Sequence, residues 1–376
     1  MTRTGFAIPA RAVLVGLVIV AAAAVPGSSA ARPPDSPGAR TGAAAGALAE
    51  SGPARSDRRG PEAVDVVLAV HGGAGGGLDP ATTPPERERA YRDGLRAALS
   101  AGYAVLRRGG SSLDAVQAAV TILEDNPLFN AGRGAVFNTD AAHELDASIM
   151  DGRTLDAGAV SGVQHVRNPI AAARLVMESS PHVMLSGAGA DEFAARRGLP
   201  TVTQDYYFTE ARWQALLAAK NPPAARAGRA AAPAPDPGGE TVGAVARARN
   251  GDLAAATSTG GLTNKMVGRI GDSPIIGAGT YAENGTVCVS ATGTGEVFIR
   301  GVAASDIAAQ MRYARAPVWE AARRVVTEKL PRLGGTGGVI ALDARGRLAT
   351  PRSTPGLLRG WVTADGRITT RVLTTE

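Results

Sequence analysis

The sequence predicts an α+β fold, and three observations carry that prediction. A β-branched run at residues 64–70 ends in a glycine loop; apolar side chains return every three or four positions between residues 86 and 123; and short, glycine-bounded apolar segments flank a low-complexity stretch ending at Glu240. Strands in two blocks, each with helices beside it, point to sheet layers covered by helices.

Residues 64–70 are short and β-branched, as a strand requires, and lead into His71-Gly72-Gly73-Ala74-Gly75. Over residues 86–108, Tyr91, Leu95, Ala98, Leu99, Tyr103 and Leu106 share a helical face, and Gly109-Gly110 supplies a stop. Ser112 is the expected N-cap of a second helix through Leu113, Val116, Ala119 and Val120 to Leu123. Residues 144–150 and 157–160 read as strands, and Asn168-Pro169 opens a helix through Ala172, Leu175 and Val176. Residues 218–240 are rich in Ala, Pro and Gly, have nothing to pack, and are expected to form a flexible linker. A strand resumes at residues 241–246. Further strands near 252–257, 287–290 and 296–300, a helix over about 304–329, and strands at 338–343 and 346–350 complete the expected elements.

Composition narrows the function. The net charge is +6, yet only Lys220, Lys265 and Lys329 are lysines, the arginines are scattered, and no aromatic-rich basic motif accompanies them. That argues against nucleic-acid binding. Cys288 is the single cysteine, which excludes an internal disulfide, and His71, His143, His165 and His182 lie far from zinc-ligand spacing. Arg3 and Arg11 precede an apolar run at residues 12–25, and Ser28, Ser29 and Ala30 follow it, the pattern of an export signal over residues 1–30. Secretion follows. The run is shorter than the ~20 residues that span a bilayer, so no stable membrane anchor is expected, although an uncleaved anchor is the alternative. Residues 31–61 lack large apolar side chains and read as a disordered leader.

Five blocks belong together: HGGAG at 71–75, NAGRGAVF at 130–137, TVGAVA at 241–246, TSTGGLTNKMVGRIGDSPIIGAGTYA at 257–282, and TGTGE at 292–296. In this order they closely resemble the plant-type asparaginase/isoaspartyl peptidase family of N-terminal-nucleophile hydrolases, over roughly residues 64–360. The resemblance implies an αββα four-layer sandwich of two antiparallel sheets flanked by helices. It implies that the chain cuts itself before Thr241 into an α-subunit ending at Glu240 (residues 62–240 of the domain) and a β-subunit of residues 241–376, and that two such cleaved pairs form a dimer.

The chemistry of an amino-terminal threonine supports this reading. An internal hydroxyl has no strong base beside it, whereas a freed α-amine, with an ordinary pKa of about 7.7–8.0, takes the Oγ proton near neutral pH. One residue then supplies nucleophile and base, and its branched Cβ limits χ1. The cut runs through attack of Thr241 Oγ on the Glu240 carbonyl, giving an ester that water opens. The family commonly has glycine or an acidic residue before its threonine, and Glu240 is the acidic case.

By resemblance, Thr241 is the nucleophile and Thr259 orients it. Arg269 clamps a substrate α-carboxylate and Asp272 an α-ammonium, as guanidinium and carboxylate chemistry suits. Thr292 and Gly293 supply the oxyanion hole, and Gly295 a backbone contact to substrate. Holding both α-groups turns the side-chain amide of L-asparagine or a β-aspartyl peptide toward Thr241. No cofactor is implied for catalysis. A structural sodium ion is implied, ringed by the backbone carbonyls of Leu123, Glu124, Asn126, Phe129, Ala131 and Arg133, and Asn130 matches a position supporting the active-site floor.

Plainer readings stand beside these. A threonine before a glycine is usually a strand residue, Arg269 and Asp272 alone could be a surface ion pair, and His71 reads as a structural histidine at a strand end. A dinucleotide-binding module fails on spacing, because HGGAG is not G-x-G-x-x-G and no helix opens after it. A glycosylasparaginase-type amidohydrolase is the nearest competitor, and an unprocessed, non-catalytic aspartyl-binding protein is the alternative from another class.

Overall fold

The computed structural model describes residues 65–75, 78–221 and 241–376. The expected export signal and leader, Glu240 and most of the low-complexity linker lie outside the described residues.

The first half contains β1 (Val66–Gly75), α1 (Pro85–Arg107), α2 (Ser112–Glu124), β2 (Leu145–Asp151), β3 (Ala157–Val163), α3 (Pro169–Ser179), β4 (Met184–Ser186), α4 (Gly187–Arg196) and α5 (Glu210–Lys220). The second contains β5 (Val242–Arg247), β6 (Leu253–Thr259), β7 (Thr280–Ala282), β8 (Val287–Gly293), α6 (Gly295–Gly301), α7 (Ala303–Tyr313), α8 (Val318–Arg323), β9 (Gly337–Asp343), β10 (Leu348–Ala349), β11 (Gly356–Thr363) and β12 (Ile368–Arg371). The strands form an eight-stranded sheet, in the order β12-β11-β1-β5-β6-β2-β3-β4, and a four-stranded sheet, β10-β9-β8-β7.

Three apolar clusters define four layers. α1, α2 and α3 bury Leu95, Leu99, Val116, Leu123 and Ile170 against Leu68, Val70, Ile149 and Val160 of the large sheet. α7 and α8 bury Ile307 and Val318 against Val289 and Val339 of the small sheet. Between the sheets, Val66, Ala69, Val245 and Ala255 meet Cys288, Ile340 and Leu342. This is the αββα sandwich. Gly102 lets α1 approach closely, since a Cβ there would lie 2.6 Å from Leu68 Cδ2 and 2.7 Å from the Ala115 carbonyl.

Several expectations change in detail. The cap of α2 is Ser111, whose hydroxyl accepts from Asp114 N at 3.0 Å, not Ser112. Residues 296–300 are helical within α6, because Val297 and Phe298 bury one face into the outer cluster, a contact stronger than the strand-like composition. The helix expected over 304–329 breaks after Tyr313: Arg315 takes φ 52° and Pro317 precedes α8, which continues into a π-helical segment over Arg324–Lys329. α5 runs to Lys220, three residues into the expected linker. β4 pairs with β3 in parallel, the exception to an antiparallel sheet. The helices α4 and α5 and the strands β11 and β12 had no clear periodic signal; β11 finds its place by pairing with β1.

Leu99 is fully buried between α1 and the large sheet. We expect Leu99→Ala to cost about 2–5 kcal/mol of stability, read as a lowered denaturation midpoint.

Candidate active site

Thr241 lies one residue before β5, at the centre of the large sheet. Pairing of Val242 with Ser258 aligns β5 and β6 so that Thr241 meets Thr259 at the end of β6. Both are buried, and Thr241 Oγ donates to Thr259 Oγ at 3.1 Å. Thr259 Oγ also accepts from Gly261 N at 2.9 Å. Beneath them, Asn130 donates to the Gly261 carbonyl at 2.7 Å and accepts from Val136 N at 3.0 Å, while Gly260 N donates to the Asn130 carbonyl. Asn130 thus ties its loop to the turn after β6.

Thr292 and Gly293 come from the opposite sheet, at the end of β8. The Thr292 hydroxyl accepts from Ala74 N at 3.1 Å, which occupies a lone pair and leaves its proton to point elsewhere. Gly293 has φ 143°, and a Cβ there would collide with the Thr336 carbonyl and the Gly337 backbone. Only glycine allows the two strands to meet at that point.

Arg269 and Asp272 do not pair with each other. Arg269 forks onto Glu296, with Nε and Nη2 at 3.0 and 3.1 Å from its two carboxylate oxygens. Asp272 is buried, and among the described residues its Oδ2 has no hydrogen-bond partner. Burial pushes its carboxyl up to about 6, against the opposing pull of its own backbone N–H and of Arg269. A buried carboxylate with an unshared oxygen is a receptor for a cationic donor. Gly295 sits between the two: a Cβ there would lie 2.9 Å from Arg269 Nη2 and 3.0 Å from Asp272 Oδ1. Any side chain would enter the space between the guanidinium and the carboxylate.

Three contributors escaped the sequence reading. Ala74 acts through its backbone, Glu296 through the Arg269 fork, and His71, read as merely structural, hydrogen-bonds the Thr241 carbonyl through Nδ1 at 3.0 Å. HGGAG and TGTGE contained all three, but the Ala74 and His71 contacts run through a backbone amide and carbonyl, and Glu296 lies 27 positions from Arg269, so none leaves a local signature.

The loop from Leu123 to Arg133 packs tightly on itself, and the Leu123, Asn126 and Ala131 carbonyls accept from Asn126, Phe129 and Gly134 N. A Cβ at Gly132, where φ is 52°, would strike the Glu124 carbonyl, and one at Gly134 would strike that of Phe129 and lie 2.6 Å from that of Pro127. The Glu124 side chain faces elsewhere, accepting from Ile170 N at 2.9 Å and Ser258 Oγ at 2.6 Å. Among the described residues no cluster of three or more His, Cys, Asp or Glu side chains could hold a metal.

Comparison with known proteins agrees with this geometry. Residues 64–372 match the family described as Asparaginase. The chain is 52% identical to the isoaspartyl peptidase of Escherichia coli over 307 residues, covering 81% of this chain and 95% of that protein. It is 41% identical to the isoaspartyl peptidase/L-asparaginase of Danio rerio over 303 residues, covering 80% of this chain and 92% of the relative. It is likewise 41% identical to a probable isoaspartyl peptidase/L-asparaginase 2 of Arabidopsis thaliana, over 80% of this chain and 96% of that protein.

A substrate ammonium needs an ionised Asp272, so the acidic fall of kcat/KM set by the amino-terminal base should steepen by about a further tenfold per pH unit below about 6, measured with the cleaved enzyme. Asp272→Asn should remove that added steepening, leave the limb of the amine, and lower kcat/KM at neutral pH.

Proposed function

The chain belongs to the asparaginase family of N-terminal-nucleophile hydrolases, and from that premise we propose that it releases Thr241 by self-cleavage and hydrolyses L-asparagine and β-aspartyl peptides to L-aspartate. The observation that carries this reading is the hydrogen bond between the Thr241 and Thr259 hydroxyls, at the residue just before β5, which follows directly on a low-complexity segment. An ordinary strand residue has no need of a hydroxyl partner there.

In the cut, Thr241 Oγ adds to the Glu240 carbonyl, its proton passes to the departing amide nitrogen, and water opens the resulting ester. The products are the Glu240 carboxylate and a free α-amine on Thr241. In turnover that amine takes the Oγ proton, and Oγ attacks the side-chain amide carbon of the substrate. Thr292 Oγ–H and Gly293 N–H take the developing oxyanion. The amine then protonates the leaving nitrogen, which departs as ammonia or a peptide, and water hydrolyses the β-aspartyl ester. Arg269 and Asp272 hold the α-carboxylate and α-ammonium, which excludes ordinary α-linked aspartyl bonds, whose carboxylate is already in amide linkage.

A sodium ion held by the carbonyls of Leu123, Glu124, Asn126, Phe129, Ala131 and Arg133 would stiffen the loop that carries Asn130, and takes no part in bond making. The same proposal includes export by the amino-terminal segment and assembly of two cleaved pairs into a dimer. Glycosylasparaginase activity shares the nucleophile and differs in the room given to a sugar.

Amino-terminal sequencing of the smaller band on a denaturing gel should read Thr-Val-Gly-Ala. An intact chain that stays inert toward β-aspartyl dipeptides would sink the proposal and favour the binding reading. Arg269→Ala should still cleave itself, yet lose about a hundredfold or more in kcat/KM; unchanged hydrolysis would remove Arg269 from the clamp.

A further inference from the structure

The space between the two sheets is apolar along most of its length, but one row is polar. His71, Ser148, Thr257, Thr280 and Ser290 are all fully buried. In the large sheet His71 pairs with Gly243, Gly243 with Thr257, and Thr257 with Ser148, so this row crosses four neighbouring strands in one line. In the small sheet Thr280 pairs with Ser290. Directly paired residues share a face, and these two rows face each other.

They join into a continuous chain of hydrogen bonds. His71 Nδ1 lies 3.0 Å from the Thr241 carbonyl, and Nε2 lies 2.8 Å from Ser290 Oγ. Ser290 Oγ lies 2.7 Å from Thr257 Oγ, Thr280 Oγ donates to Thr257 Oγ at 2.6 Å, and Ser148 Oγ lies 2.8 Å from Thr280 Oγ. The single Ser148 proton is shared between Thr280 Oγ and the Ser273 carbonyl, the latter 2.6 Å away. One end of the chain is therefore the backbone of Thr241, and the other is the residue beside Asp272.

The donor sense at the Thr241 end is dictated. A carbonyl only accepts, so the His71 proton sits on Nδ1, and Nε2 must accept from Ser290. Ser290, its proton spent, accepts from Thr257, which in turn accepts from Thr280; Thr280 then accepts from Ser148, whose one proton lies between Thr280 Oγ and the Ser273 carbonyl. Burial drives the imidazole down to about 3, which keeps it neutral and able to accept. The approach also fixes residue 243, because a Cβ at Gly243 would fall on Ser290 Oγ and lie 2.5 Å from His71 Nε2.

Packing alone does not call for this row. Valine fills the volume of threonine, and an apolar row would avoid the desolvation of five polar groups. Resting on the assignment of Thr241 as nucleophile, we propose that His71, Ser290, Thr257, Thr280 and Ser148 form a positioning relay that holds the nucleophile's backbone and the Asp272 loop in mutual register. None of the five is a catalytic residue; each acts through the carbonyl at its end of the chain. Breaking the relay near His71 loosens the Thr241 carbonyl and with it the amine and Oγ. Breaking it near Ser148 loosens the substrate clamp.

The test uses the cleaved enzyme with a β-aspartyl dipeptide. Ser290→Ala should lower kcat by about tenfold with KM nearly unchanged, whereas Ser148→Ala should raise KM by about threefold with kcat retained. Thr257→Val, in the middle and matched in volume, should do both, and adding Ser148→Ala to it should cost little more. Nitrogen NMR of the unsubstituted enzyme, free of any folding defect in variants, should find a neutral His71 with its proton on Nδ1. A proton on Nε2, an imidazolium, or variants whose kcat and KM move together in proportion to lost thermal stability would overturn the relay. Failure of the hydrolase assignment would show separately, as absent cleavage or turnover with the Nδ1–H tautomer intact.

Discussion

The antiparallel pairing of β5 with β6 is the constraint on which the rest of the site depends. Because side chains alternate along a strand, a slip of one residue would turn Thr259 away from Thr241 and Thr257 away from the inter-sheet space together. The register that pairs Val242 with Ser258 also pairs Gly243 with Thr257, so the nucleophile's contact and the polar row are set by one ladder. α2 and α3 bury that ladder from outside, and β8 covers it from inside. The reactive hydroxyl is thus held by backbone geometry at the centre of the domain.

Burial shapes the site's electrostatics in two directions. At Asp272 it leaves a carboxylate oxygen unshared and raises the proton affinity, a cost that a cationic partner would offset. At His71 it suppresses charge and leaves a neutral ring that donates on one side and accepts on the other. Arg269 is held differently, by the fork with the half-exposed Glu296, which presets the guanidinium plane before any ligand arrives. The site combines a prearranged cation, an unsatisfied anion and a hydroxyl anchored through its backbone.

Much of this was legible in the sequence, unevenly. α1 and α2 were clear because their apolar faces repeat at helical spacing, and β2 was clear from its glycine-bounded run. Residues 296–300 misled, because Glu-Val-Phe-Ile-Arg has strand-like composition and only packing under α6 decides otherwise. β12 was silent, being four residues that find order only by pairing with β11. Thr241, Thr259, Arg269, Asp272, Thr292, Gly293 and Gly295 were each singled out by motif, since residue type and order are what a motif reads.

The sequence by itself determined the class of fold, the family, and the residue proposed as nucleophile, because local periodicity and ordered motifs are properties of the chain. Tertiary structure decided which groups meet. It paired Arg269 with Glu296 rather than with Asp272, brought Ala74 to Thr292 across 218 positions, and joined His71 to the Thr241 carbonyl across 170. Those contacts run through backbone atoms or between strands distant in the chain, and their geometry exists only once the two sheets have stacked.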